Sequence, residues 1–177
     1  LAATAPSREK YTPGNQNPTK PLTGVRVLDL TWVWAGTFGS MQLAHLGAEV
    51  IRLESELRPD LYRRLPVFPT DMNLQEGEEG LNRSGMFNQW NQGKRSVAVD
   101  LGKPEGIDLV KAFVAEADVV VQNFATGVFE RLGLGYSVLQ EIKPDIILAS
   151  ISGYGQTGPL KNYMGYGPAM PPLTGLS

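Results

Sequence analysis

The chain has no cysteine and a single histidine, His45, among 177 residues. That excludes disulfides, a thiol nucleophile and cysteine-ligated metals, and it leaves a transition-metal site of the usual kind without ligands. No apolar run approaches the roughly 20 residues a membrane-spanning helix needs. Residues 1–20 lack the apolar core of a secretory signal. Charge of one sign is also missing: the net value is −2 and the pI about 5.5. Neither a nucleic-acid partner nor an anionic membrane surface is expected from that balance. A cytoplasmic protein without a metal is the plain expectation.

One local absence stands out. No Asp or Glu occurs from Ile146 to Ser177, while five of the fifteen residues from Gly153 to Gly167 are glycine. Such a stretch suits close approach of backbone to a ligand, yet it carries no acidic group to do chemistry there.

What is present fits a globular α/β protein, with 42% hydrophobic residues and 19% charged ones. Residues 1–20 are polar and rich in Pro and Gly, and read as an extended or disordered arm. Residues 21–177 read as one domain. GVRVLDLT (24–31) is a buried-strand pattern, and a helix from about Gly36 stops at Gly47. AEVIRLE (48–54) resumes the strand pattern, which completes a βαβ unit. From Ser55 to Gly93 the periodicity breaks down, and an irregular excursion is expected there, with 56–92 as its bounds. KRSVAVDL then reads as a strand and 104–117 as an amphipathic helix with Pro104 in its first turn. DVVVQNF (118–124) is a strand, 126–134 and 137–144 are short helices, and 145–155 is another buried strand. Alternation of this kind implies a mostly parallel sheet with helices on both faces.

Ligands of such sheets bind beyond the carboxyl ends of the strands. The segments there are TWVWAG, ESELRP, QNFATG and SGYGQTG. Their glycines, amides, hydroxyls and indoles suit a nucleotide-bearing ligand, and equally suit ordinary turns.

Six segments together, GVRVLDLTWVWAG, LGAEVIRLE, NQGKRSVAVDL, KPEGIDLV, ADVVVQNFATGVFERLGLGY and ILASISGYGQTGP, resemble the class III CoA-transferases, with methylacyl-CoA racemases as relatives. The resemblance runs from about Pro21 to Ser177 and is weakest at 56–88. It implies a Rossmann-like large domain, of which this chain matches the amino-terminal part without the family's second domain. It also implies two ring-shaped subunits interlinked as a homodimer, or a heteromer with a catalytic homologue. The substrates implied are an acyl-CoA and an organic acid, with coenzyme A as the transferred group.

Residue by residue, the resemblance places Val33, Trp34 and Ala35 along the acyl and pantetheine end of CoA. Lys94 and Arg95 fall near its phosphates, Asn123 and Phe124 against the nucleotide portion, and Arg131 toward phosphate. Trp34, Tyr154 and Tyr166 would line the substrate pocket. A pyrophosphate needs cationic or N–H donors, and Arg presents a planar fork of them. Plainer readings stand beside these. Trp32 and Trp34, alternating around Val33, suit core packing; Lys94-Arg95 suits a solvated pair; Arg131 suits a helix end. His45 reads as a helix histidine or a general base. Ser152 and Tyr154 carry hydroxyls that also suit turns, and EGEEG (76–80) reads as a solvated loop.

The departure lies in Gly165-Tyr166-Gly167-Pro168. In the family an aspartate follows Gly-Tyr and attacks the acyl-CoA thioester, giving a mixed anhydride and then an aspartyl-CoA thioester. Gly167 occupies that position here, so no catalytic residue is assigned. Three explanations follow: a non-catalytic subunit beside a catalytic homologue, a changed reaction using Glu56, Asp60 or Asp71, or a decayed remnant. A racemase-like acyl-CoA enzyme is a further alternative.

Overall fold

The computed structural model describes residues 20–65, 81–82, 84–167 and 170–176. Residues 1–19 of the arm expected over 1–20, Asp71 and EGEEG lie outside the described residues. Strand β1 (Arg26–Leu30) leads into helix α1 (Ala35–His45) and strand β2 (Glu49–Glu54). A 3-10 turn (Leu61–Arg64) and helix α2 (Gly85–Trp90) follow, then strand β3 (Arg95–Ala98). Helix α3 (Pro104–Glu116) precedes strand β4 (Val119–Gln122). Helices α4 (Val128–Arg131) and α5 (Tyr136–Ile142) lead to strand β5 (Ile147–Ser150), and α6 (Met170–Thr174) lies beyond.

The five strands form one parallel sheet in the order β3-β2-β1-β4-β5. Alternation along β1 assigns its faces. Leu28 and Leu30 join Val110, Val114, Phe129, Leu134 and Leu139 in a core under α3, α4 and α5. Val27 turns the other way, joining Ala44, Val50 and Val121 beneath α1. Helices therefore cover both faces, as the pattern of strands and helices implies. Gly47, with φ +104°, ends α1 in a conformation a side chain would oppose.

Two elements fall within the stretch read as irregular. Ser84 caps α2 by accepting a hydrogen bond from Phe87 N, and Phe87 and Trp90 are buried. A six-residue helix, GMFNQW, offers too little periodicity to register in the sequence. The strand expected over 145–155 is shorter, because its pairing with β4 ends at Ser150.

Candidate functional site

The order of the strands reverses between β1 and β4, and in such sheets ligands bind at the carboxyl tips of the strands where the order reverses. Asn123 joins the two tips. Its Oδ1 accepts from Trp32 N at 2.8 Å and its Nδ2 donates to Trp32 O at 2.7 Å, so one amide extends the sheet where backbone pairing has stopped.

Val33 follows with φ +63°, the sole non-glycine residue with positive φ among the described residues. A β-branched side chain there costs about 1–3 kcal/mol unless its surroundings hold it. Val33 N donates to Asp60 Oδ2 at 3.0 Å, and Val33 O accepts from Thr37 Oγ1. This kink breaks the alternation expected of Trp32 and Trp34. Trp34 enters α1 and stays 57% exposed, with its ring stacked on Trp90 at 5.1 Å and 6°. Tyr62 meets the same Trp90 edge-on at 4.8 Å. Gly36 is required by proximity, since an added Cβ would land on the Thr31 side chain.

A buried charged network underlies this turn. Asp29, fully enclosed in β1, accepts from Thr31 N (2.9 Å), Thr31 Oγ1 (2.5 Å), Ser40 Oγ (2.6 Å) and Lys94 Nζ (2.9 Å). Lys94 Nζ also reaches Thr37 O, Ser40 Oγ and Asn91 Oδ1 at 2.8–3.0 Å. Burial holds the Lys94 ammonium below its ordinary range, against the pull of Asp29. Asn91 Oδ1 then accepts from Arg52 Nη1 at 2.6 Å, and Arg52 Nη2 donates to Asp60 Oδ2 at 2.5 Å. The network holds two anions and two cations, Asp29 with Lys94 and Asp60 with Arg52. Buried pairs of this sort are tolerated only when each charge has its opposite and its hydrogen bonds.

The structure thus brings Val33, Trp34, Ala35 and Asn123 to the tips. Phe124 stacks on Phe129 at 6.1 Å and so leans toward the core. Arg131 is exposed and lies over the turn after β4, with Nη1 3.1 Å from where a Cβ on Gly127 would sit. Lys94 lies beneath the tips, its side chain 2% exposed, and presents no open cationic face. Arg95 is directed elsewhere, pairing at 2.8 Å with Glu49, the first residue of β2. Asp60 is not free to act as a reactive carboxylate: it is 3% exposed, and both oxygens accept hydrogen bonds, Oδ1 from Tyr62 N. Glu56 is exposed in the loop after β2, and His45 is exposed at the end of α1.

The glycine-rich loop folds back on itself. Gly153 runs against Gly165 so closely that a Cβ on Gly153 would have no room, and Thr126 Oγ1 donates to Lys161 O at 2.7 Å. That bond ties the loop to the turn after β4. Tyr154 meets Tyr163 edge-on at 6.2 Å, and Tyr166 is exposed. Around Gly167 an added Cβ would meet nothing within 4 Å among the described residues.

Sequence reasoning missed Asp29, Arg52 and Trp90. The signal for the first two was a charge set inside an apolar strand, VLDL and VIRLE, where solvation is unavailable. Among the described residues, no group of three or more His, Asp or Glu could hold a metal ion, and no helix is long and apolar enough to cross a membrane.

A family model described as CoA-transferase family III matches residues 22–177. The chain belongs to that family. Family III relatives include the succinyl-CoA:glutarate CoA-transferase of Homo sapiens, 40% identical over 163 residues, which cover 92% of this chain and 35% of that protein. The succinyl-CoA--L-malate CoA-transferase alpha subunit of Chloroflexus aurantiacus is 35% identical over 168 residues, covering 94% of this chain and 37% of that protein. In three dimensions a CAIB/BAIF family protein from Brucella suis superposes with a TM-score of 0.78 at 36% identity, over 89% of this chain and 40% of that one. The chain spans about a third of the length of the curated relatives it matches.

Proposed function

We propose that this chain forms the CoA-thioester-binding part of a family III CoA-transferase large domain and works beside a second subunit that supplies the nucleophile. The acyl-CoA would lie across the tips of β1 and β4, with the Val33–Ala35 turn and Trp34 along its acyl and pantetheine end. Arg131 and the turn bearing Asn123 and Phe124 would face its nucleotide end. Tyr154 and Tyr166 would border the organic acid. The relatives named after succinyl-CoA transferases support a CoA-thioester substrate, and the alpha-subunit name of one supports assembly from unlike subunits.

The observation that carries the non-catalytic part is Gly167. It follows Gly165-Tyr166 in the loop tied to the β4 turn, and the space around it is open among the described residues. A side chain is absent there although room for one exists. Gly167→Asp tests this directly. Its carboxylate would attack the thioester carbonyl, forming a C–O bond as the C–S bond breaks and CoA thiolate leaves. That thiolate then attacks the aspartyl carbonyl of the anhydride and releases the organic acid. Mass spectrometry after incubation with succinyl-CoA should find CoA attached to the variant and nothing on the unaltered protein. An unmodified variant, or robust transferase turnover by the unaltered chain without a partner, would refute this reading.

A further inference from the structure

The turn after β1 is shaped by groups remote in sequence. Val33 takes up a left-handed conformation that its own side chain disfavours, and its amide is anchored by Asp60, 27 residues away. The anchoring oxygen, Asp60 Oδ2, is also the one that Arg52 Nη2 grips. Arg52 reaches the other side of the aromatic stack as well, because its Nη1 bonds Asn91, the residue that follows Trp90 at the end of α2. One enclosed guanidinium therefore registers both rings: Trp34 through Asp60 and Val33, and Trp90 through Asn91.

We propose that Asp60 is a positioning residue which holds the β1–α1 turn in its ligand-facing shape through the Val33 amide, and so fixes Trp34 against Trp90. Asp60 touches no substrate atom in this role. The inference rests on the reading of that turn as the acyl-CoA surface, and its test separates the two.

In the purified protein, stacking of Trp34 on Trp90 should give an exciton couplet in circular dichroism, and coenzyme A affinity is read by calorimetry. Asp60→Asn leaves one oxygen for three donors, Val33 N, Tyr62 N and Arg52 Nη2. It should abolish most of the couplet and weaken coenzyme A binding about tenfold by misplacing the turn. Adding Val33→Gly removes the conformational opposition at position 33, and should restore much of the couplet, which does not depend on the Val33 side chain touching the ligand. A purely structural ion pair predicts no such rescue. An Asp60→Asn protein that folds and keeps both signals would overturn the proposal, as would a couplet deficit that Val33→Gly leaves unchanged. Should Asp60→Asn fail to fold, amide exchange in the unaltered protein decides. Val33 N–H should exchange about a hundredfold more slowly than exposed turn amides; exchange at the open-turn rate would overturn the proposal. If the unaltered protein binds no coenzyme A, the acyl-CoA reading of the turn falls, while the couplet and the exchange rate still decide the role of Asp60.

Discussion

The ammonium of Lys94 is enclosed by four oxygen atoms, and the nearest charge is Asp29. Desolvation makes such a cation costly, and it makes the anion costlier still once the cation is removed. Lys94→Met should therefore destabilise the protein by about 3–5 kcal/mol, read as a lower urea midpoint, with part of the loss recovered by Asp29→Asn in the same chain. A change under about 1 kcal/mol would mean that Asp29 is solvated after all. Arg131 differs at the same scale. It is exposed, and no ion pair involving it occurs among the described residues. Arg131→Ala should leave stability within about 0.5 kcal/mol. It should weaken coenzyme A binding about tenfold at low salt, less at high salt, as a charge-assisted phosphate contact requires. Calorimetric affinities unchanged at both salt concentrations would remove Arg131 from the site.

Helix α1 carries two glycines with opposite surroundings. Gly36 faces the Thr31 side chain with no room for a methyl group, whereas Gly39 faces open space among the described residues. Gly36→Ala should cost about 1–3 kcal/mol through overpacking, and Gly39→Ala should gain up to about 1 kcal/mol from helix propensity. Thermal melts of the two variants shifting in the same direction would contradict this placement of α1. Elements of this kind were legible where a periodic pattern met a boundary signal. Pro104 and the apolar spacing after it locate α3 at Pro104–Glu116 within a residue of the expected end. The glycine at 47 does the same for α1. Helix α2 was not legible, because burial of Phe87 and Trp90 holds it rather than propensity. The site divides likewise. Trp34 and Asn123 sit at strand tips, a position that follows from the order of elements. The roles of Asp29, Arg52 and Asp60 depend on which residues meet across the sheet, and no local spacing encodes that.

At the scale of the whole molecule, the outer flank of β2 is held by Glu54, which accepts from Arg63 Nε and Nη2 at 2.7 and 2.9 Å and from Ser96 Oγ at 2.7 Å. Burial pushes the Glu54 carboxyl up, but the hydrogen bonds from Arg63 and Ser96 with the charge of Arg52 outweigh it, and the net shift is below the ordinary 4.5. The sign follows. The unfolded chain takes up this proton first as pH falls, so Glu54 stabilises the fold above pH 4.5 and that contribution is lost as pH drops through the lower folded value. Glu54→Gln should be less stable than the parent at neutral pH, and the gap should close in acid, as urea midpoints across pH would show. A gap constant with pH would mean that packing, not charge, is what Glu54 supplies.

Strand β1 pairs with β2 on one flank and with β4 on the other, Val27 standing between Val50 and Val119. The first flank is satisfied by near neighbours in the chain; the second waits until residues as far as Gln122 have left the ribosome. Translation at about 5–20 residues per second leaves that flank bare for several seconds. The naked rim of β1 is thus where a nascent copy is most open to chaperone capture, or to mispairing with its own kind.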